Sequence, residues 1–338
     1  LSGTGAFSDL ASLQPHAGIV PYELNVPFWS DGAIKSRWFS VPDRGSTFGF
    51  RPTGNWLLPT GAVWIKHFEL ELTPGVPSSR RRLETRFLVR NSQGVYGVSY
   101  RWDPEGKDAT LLGEDGMDET IEVQRGGVTR TQVWHYPSRG ECLICHTAVG
   151  GMALGFNTAQ LNRDVRHGET FGNQLGLLAR AGYLDRLETP VQTLPALAHP
   201  TNESVSLVWR ARSYLDANCS HCHQPGGPAL GLWDARAEIS LIRANIVDGL
   251  LRVEQDQPDL RVVAPGDPSR SAILRHMTVR GPGQMPPLAT SEPDLDGIGL
   301  LNRWIKNHTA GYQTFAARQE SIFGDPGDPR AAPESDPD

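Results

Sequence analysis

The residues whose types and spacing most clearly indicate a chemical role form one short pattern, Cys-x-x-Cys-His. It occurs at positions 142–146 and again at positions 219–223. All four cysteines of the chain belong to the two copies, namely Cys142, Cys145, Cys219 and Cys222, and the histidines that follow them are His146 and His223. Two thiols on one helical turn can each form a thioether with one vinyl group of a porphyrin. The next residue, histidine, can then bind the iron from below the ring. The pattern therefore predicts two covalently bound haem c groups.

Zinc sites and redox disulfides also use Cys-x-x-Cys pairs. A zinc site places two pairs about 15–20 residues apart, or combines one pair with a His-x₃₋₅-His partner. Here Cys219 follows Cys142 by 77 positions, which fits neither spacing. A thioredoxin-like dithiol needs one pair near a βαβ pattern and does not require the trailing histidine twice. The spacing favours haem, with zinc and a disulfide as the alternatives.

Length and charge limit the remaining possibilities. The chain has 338 residues, enough for two domains, and a net charge of −6 without a basic block, so nucleic acid is not an expected partner. No run of about 18 apolar residues is present, and we expect no transmembrane segment. The first residue is Leu1 rather than Met, which suggests a processed or trimmed N-terminus. Haem c is attached on the oxidising side of a bacterial membrane, so we expect a periplasmic or extracellular protein.

The elements that position the first motif are predicted to be strands. Residues 62–72 alternate, with Phe68 and Leu70 on one face and His67 and Glu69 on the other. Several further short alternating segments follow, separated by turn residues, as in an antiparallel sandwich. We therefore expect an α+β protein whose N-terminal antiparallel β-sandwich-like domain covers residues 1–136.

The elements after residue 136 are predicted to be mainly helical. Ser138 and Glu141 have the spacing of a helix cap just before the first motif. Residues 137–203 are expected to hold the first haem and a linker, residues 204–310 a second haem domain, and residues 311–338 a flexible acidic tail. In the second haem domain we expect helices over residues 207–218, 235–247, 269–277 and 292–305.

The order of motifs in residues 205–308 resembles a class I cytochrome c domain: a helix with Cys-x-x-Cys-His, a loop, a helix, Met285-Pro286-Pro287 and a terminal helix. This resemblance implies His223 as the proximal and Met285 as the distal iron ligand. The two prolines favour an extended backbone that can hold a thioether over iron. Met277 is the competing methionine, and its place in a predicted helix favours a core role.

The distal ligand of the first haem is not set by spacing. His146 is proximal, and we predict His67 as its distal partner, because a haem against the outside of the sandwich would meet the polar face of that strand. His135, Met152 or no ligand at all are the alternatives.

The whole chain resembles a family of bacterial diheme c-type cytochromes of poorly defined function. The resemblance rests on stretches spread over residues 1–308: Asn25-x-Pro27-x-Trp29-Ser30-Asp31-Gly32, Pro137-Ser138-x-x-Glu141 with the first motif, Gln160-Leu161-Asn162, and residues 210–223. It implies a secreted electron carrier whose partners are redox proteins, such as a periplasmic quinoprotein dehydrogenase. The alternatives are a di-haem peroxidase or oxidase with an open site on the first haem, and a structural subunit of a larger cytochrome assembly.

Overall fold

A computed structural model describes residues 1–252 and 257–312. The chain mixes helices with antiparallel sheets, which confirms the predicted class at that level. Most of the predicted acidic tail, from residue 313 on, lies outside the described residues. Among the described helices, none combines the length and the apolarity needed to cross a bilayer.

A six-stranded antiparallel sheet is the largest element, with strand order β3-β4-β5-β6-β7-β8. The strands are β3 (Val20–Pro21), β4 (Ile34–Ser40), β5 (Val63–Glu71), β6 (Arg80–Arg90), β7 (Val95–Trp102) and β8 (Ala109–Leu111). Their aromatic and β-branched side chains suit a pleated surface that is covered on both sides.

Both faces of this sheet are buried. On one face, Trp64 of β5 and Leu88 of β6 lie in a core that also contains Phe156 and Leu175 from later in the chain. The opposite face carries Ile65, which packs with residues of the N-terminal segment. That segment contains the short strands β1 (Phe7–Asp9) and β2 (Gln14–Pro15), which pair with each other.

A two-stranded antiparallel ribbon packs beside the sheet. It consists of β9 (Met117–Arg125) and β10 (Val128–Tyr136). Ile121 and Trp134 of the ribbon share a core with Phe68 of β5. The ribbon therefore shares a hydrophobic core with the six-stranded sheet.

Short helices connect the sheet to the C-terminal region. They are α1 (Arg139–Cys145), α2 (Thr158–Leu161) and α3 (Gln174–Arg180), with a small hairpin of β11 (Asp164–His167) and β12 (Thr170–Asn173) between the last two. Leu161 and Leu175 are fully buried in the core of the six-stranded sheet. Residues 153–194 therefore share one core with the β region.

The C-terminal region has a core of its own, drawn from residues 207–312. Its helices are α4 (Leu207–Cys219), α5 (Leu241–Ala244), α6 (Ala272–Thr278) and α7 (Leu295–His308). The predicted helix over 235–247 is wrong in its length. Asn245 ends α5 in the left-handed region at φ 51°, and the Asp234 carboxylate accepts from the Arg236 N–H in a turn that replaces the first helical residues.

Candidate functional site

The first Cys-x-x-Cys-His motif lies on α1, which begins with the predicted cap. The Ser138 hydroxyl accepts from the Glu141 N–H, and the Glu141 carboxylate accepts from the Ser138 N–H at 2.7 Å, so a capping box is formed. The helix packs on β7, where a Cβ built on Gly97 would lie 2.8 Å from Sγ of Cys142. The cap and this close approach fix the helix on the sheet.

His146 has the hydrogen bonding expected of a metal ligand. Its Nδ1 donates to the carbonyl oxygen of Met152 at 2.5 Å, because a carbonyl can only accept. The proton therefore sits on Nδ1, and Nε2 keeps its lone pair. A backbone carbonyl that orients the imidazole in this way is the usual outer partner of a ligating histidine. Burial lowers the pKa of His146 to about 4, so the ring is neutral near pH 7.

Both cysteines of the first motif and His146 line one pocket. Its other walls are mainly apolar and aromatic, with Tyr22, Leu24, Val26, Phe28, Trp64, Leu88 and Leu288 among the contributing side chains. Leu288 follows the Met285-Pro286-Pro287 stretch, so the C-terminal region helps to close the pocket of the first motif. Two thiols, a neutral imidazole and apolar walls are the set that haem c requires, and the residues fit that group.

Three cationic side chains, Arg37, Lys66 and Arg86, lie in the same pocket. They come from adjacent strands: Arg37 on β4 is paired with Lys66 on β5, which is paired with Arg86 on β6. We call them the cationic row. Burial lowers the pKa of Arg37, and it holds the pKa of Lys66 well below its ordinary value.

The second motif begins at the end of α4, as predicted. His223 stacks on Trp233 with ring centroids 4.2 Å apart, and burial lowers the pKa of His223 to about 4. Its buried Nδ1 has no hydrogen-bond partner in the described part of the chain. Leu230 and Leu232, just before Trp233, are 67% and 62% exposed. Exposed apolar side chains beside His223 fit a site that a haem covers, whereas its Nδ1 lacks the carbonyl partner that orients His146.

The loop that carries Met285 is held against α6. The Met285 N–H donates to the His276 carbonyl at 2.9 Å, and the Met285 side chain is 38% exposed. Met277, the competing methionine, is buried in the C-terminal core. Met277 therefore lies in the core, as its position in a predicted helix suggested, whereas Met285 lies on an accessible loop.

The two motifs meet, although 77 residues separate them in the sequence. The neighbouring Cys222 thiol, followed by burial, raises the pKa of Cys145 to about 12. Cys145 in turn lowers the pKa of Cys222. Gly150 lies between the two motifs, where a Cβ built on it would be 3.1 Å from the carbonyl oxygen of Cys145 and 3.2 Å from Cβ of His221. Gln224 donates to the Val149 carbonyl at 3.2 Å, so the loops that follow the two motifs are also in contact.

The predicted distal ligand His67 lies elsewhere. It is fully buried and its Nδ1 is 2.8 Å from the Thr85 hydroxyl, while its ring packs edge-on against Trp102. Because successive side chains of a strand point to opposite faces, His67 faces away from the pocket that Lys66 lines. The assignment of His67 is therefore corrected. It assumed one exposed polar face, whereas this sheet is covered on both faces.

The other candidates for that position are also engaged elsewhere. His135 lies between two carboxylates, with Nδ1 2.6 Å from Asp118 and Nε2 3.1 Å from Glu141. The Met152 side chain packs against the core of the six-stranded sheet. Among the described residues that line the pocket, the only histidine or methionine side chain is His146.

Sequence reasoning missed the cationic row and His221. The row could have been predicted in part from the sequence, because alternation places Lys66 and Trp64 on one face of β5. His221 carried no signal, because its role as a contact between the motifs depends on long-range packing.

The alternatives of zinc and a disulfide receive no geometric support. Over residues 1–252 and 257–312, no three side chains of His, Cys, Asp or Glu converge as a metal-binding group, whereas a structural zinc site uses four ligands. The four cysteines are free thiols.

Comparison of the chain with protein-family models, curated proteins and solved structures finds no match.

Proposed function

We propose that this protein is a diheme c-type cytochrome that transfers electrons between redox partners. Cys142 and Cys145 would hold one haem c and Cys219 and Cys222 the other, each through two thioethers. His146 and His223, whose rings are buried and neutral, would bind the two irons. Bound haem c supplies reversible one-electron chemistry.

The observation that carries the proposal is the contact between the two motifs. The loop after the first motif lies against the second motif, with Gly150 between Cys145 and His221 and with Gln224 donating to the Val149 carbonyl at 3.2 Å. Two haems attached at these motifs would therefore be neighbours. Such an arrangement serves electron passage through the molecule and needs no acid–base residue.

The remaining assignments follow from this proposal. Met285, on its accessible loop, would complete the coordination of the second iron, and a Met/His pair raises the reduction potential relative to two histidines. Covalent haem attachment implies the periplasm or the cell exterior. The resemblance to bacterial diheme c-type cytochromes implies redox proteins as partners, for example a quinoprotein dehydrogenase or a larger cytochrome assembly.

The test is a haem count on the secreted protein, produced in a host that attaches haem c. We expect two haems per chain by pyridine haemochrome and mass spectrometry, and one haem when either cysteine pair is replaced by alanine. We also expect the far-red sulfur–iron band of the oxidised protein to disappear in Met285→Ala and to persist in the volume-conserving control Met277→Leu. A colourless or zinc-containing protein would refute the proposal.

One observation favours a second function, an enzyme of the peroxidase or oxidase type. Apart from His146, the described lining of the first pocket offers no histidine or methionine side chain, so the first iron would keep an open axial position. Carbon monoxide or peroxide added to the same samples distinguishes the enzyme from the electron carrier. A spectral response assigned to one haem supports the enzyme, and the absence of a response supports the carrier.

A further inference from the structure

The cationic row carries more positive charge than its surroundings neutralise. Arg86 donates to the buried carboxylate of Glu84 at 2.9 Å. Lys66 forms no ion pair within the described part of the chain, and its Nζ lies 5.0 Å from the ring centroid of Phe68 and 5.9 Å from that of Phe28. Arg37 forms no ion pair with any described residue, and its Nη2 is buried without a hydrogen-bond partner. Three cations against one carboxylate leave two positive charges.

Nearby groups do not correct this imbalance. Glu141 also lines the pocket, but its carboxylate accepts from the Ser138 N–H and contacts His135. Lys35, the next cation along β4, is outside the lining of this pocket and donates to the Phe28 carbonyl at 2.7 Å. Like charges directly opposite each other in adjacent strands are destabilising, and a buried charge without a partner costs more still. An anion bound at the row would balance this charge.

We propose that the cationic row binds the two propionate carboxylates of the haem attached at Cys142 and Cys145. This inference rests on the proposed function and identifies the side chains that hold the acidic edge of the first haem. The row and the first motif line the same pocket, and the two excess charges match the two carboxylates. The buried Nη2 of Arg37 supplies a free donor for a charge-assisted hydrogen bond.

The expected consequence is electrostatic. Removing a cation from the row leaves propionate charge uncompensated, and this negative charge stabilises the oxidised iron. Lys66→Met and Arg37→Gln should therefore lower the midpoint potential of one haem and leave the other unchanged. We expect the reduction equilibrium to shift at least tenfold, which is about 59 mV for one electron. Lys66→Arg keeps the charge and should retain the wild-type potential.

The experiment is a potentiometric titration of the holoprotein, combined with resonance Raman spectra of the propionate bending modes. Arg82→Gln is the matched control: it removes one positive charge from β6, but its guanidinium lies over Trp102, on the face away from the pocket. We expect shifted propionate modes in Lys66→Met and Arg37→Gln and unshifted modes in Arg82→Gln. Arg37 and Lys66 lie on different strands, so either variant alone suffices if the other fails to fold.

The outcomes separate the two proposals. A chain without haem refutes the proposed function. Two haems with potentials and propionate modes unchanged in both pocket variants refute the role of the cationic row and leave the proposed function intact. A haem that is low-spin in the wild type and high-spin in Lys66→Met would show that Lys66 is an axial ligand and would overturn its assignment as a propionate partner.

Discussion

Gly97 leaves the space that Cys142 occupies in the first motif. A Cβ at this position would lie 2.8 Å from Sγ and 3.2 Å from Cβ of Cys142, and the backbone of Gly97 is not in the left-handed region. Gly97→Ala should therefore act through this contact alone and push α1 away from β7. We expect the free energy of unfolding to fall by about 1–3 kcal/mol, the usual cost of overpacking. Urea unfolding followed by circular dichroism measures this loss.

The matched control is Gly94→Ala, in the turn before the same strand. A Cβ on Gly94 meets nothing within 4 Å, and its backbone also lies outside the left-handed region. We expect no loss of stability there. Equal behaviour of the two variants would contradict the contact between α1 and β7.

His67 and Lys66 show where residue-level prediction succeeded and failed. Alternation along β5 correctly separates the two side chains onto opposite faces. It does not say which face meets the first motif, because that depends on the N-terminal segment, which covers the face of Ile65. The polar character of His67 suggested an outer face, yet Thr85 satisfies its Nδ1 in the interior. A polar side chain was misread because its partner lies on another strand.

At the scale of elements, His135 joins the β9–β10 ribbon to α1. Burial tends to lower the pKa of His135, but hydrogen bonds with Asp118 and Glu141 outweigh it, and the folded-state pKa is raised. Both ring nitrogens can donate only when the imidazole is protonated. The stabilisation by His135 is therefore present in full below the unfolded-state pKa of about 6.5, and it is lost as the pH rises through the folded-state pKa.

His135→Gln should consequently destabilise the protein in a pH-dependent manner. We expect the unfolding free energy to fall by up to about 1 kcal/mol near pH 5.5, since the pair is partly exposed, and the difference to vanish above the folded-state pKa. Urea titrations of both proteins across this range provide the measurement. His16→Gln, which changes an exposed imidazole, should show no such trend. A constant difference at all pH values would show that the ion pairs contribute nothing.

Elements governed by local chemistry are the ones that sequence predicts well. The capping box of α1 and the course of α4 into Cys219 depend on neighbours in the chain, and both predictions are confirmed. The helix predicted over 235–247 shortens to four residues, because Asp234 and Asn245 adopt turn conformations instead. The side chains of Asp and Asn compete with the hydrogen bonds of a helix. A prediction from the pattern of apolar positions does not take this competition into account.

At the scale of the whole molecule, sequence alone could not have shown that the two motifs touch. Their contact needs α1 on the sheet, α4 in a separate core, and a packing of these two units that no local pattern encodes. The motifs predict a chemistry for each site, whereas the packing determines how close the two sites lie. Links between the N-terminal and C-terminal regions therefore bear on function.

Asp31 is the most densely bonded of these links. Its buried carboxylate accepts from the N–H and hydroxyl of Ser291 and from the N–H of Glu292, about 260 residues later in the chain. The single hydroxyl hydrogen of Ser291 is shared between this carboxylate and the Val133 carbonyl of β10, and Trp29 donates through Nε1 to the Glu292 carbonyl. These residues follow Leu288 and Ala289, which line the first pocket. Asp31 thus holds the segment that closes the pocket.

Asp31→Asn tests this link without disturbing the backbone, because Asn tolerates the left-handed conformation that Asp31 adopts at φ 52°. The amide has one acceptor oxygen where the carboxylate has two, so buried N–H groups lose their partner. We expect the unfolding free energy to fall by about 1–3 kcal/mol and amide exchange to accelerate in residues 288–292. Asp43→Asn is the control, since the Asp43 carboxylate accepts only from Gly45 and Ser46 in its own turn. If exchange in residues 288–292 is the same in both variants, the pocket is closed by other contacts, and Asp31 is not the residue through which the C-terminal region is held against the first motif.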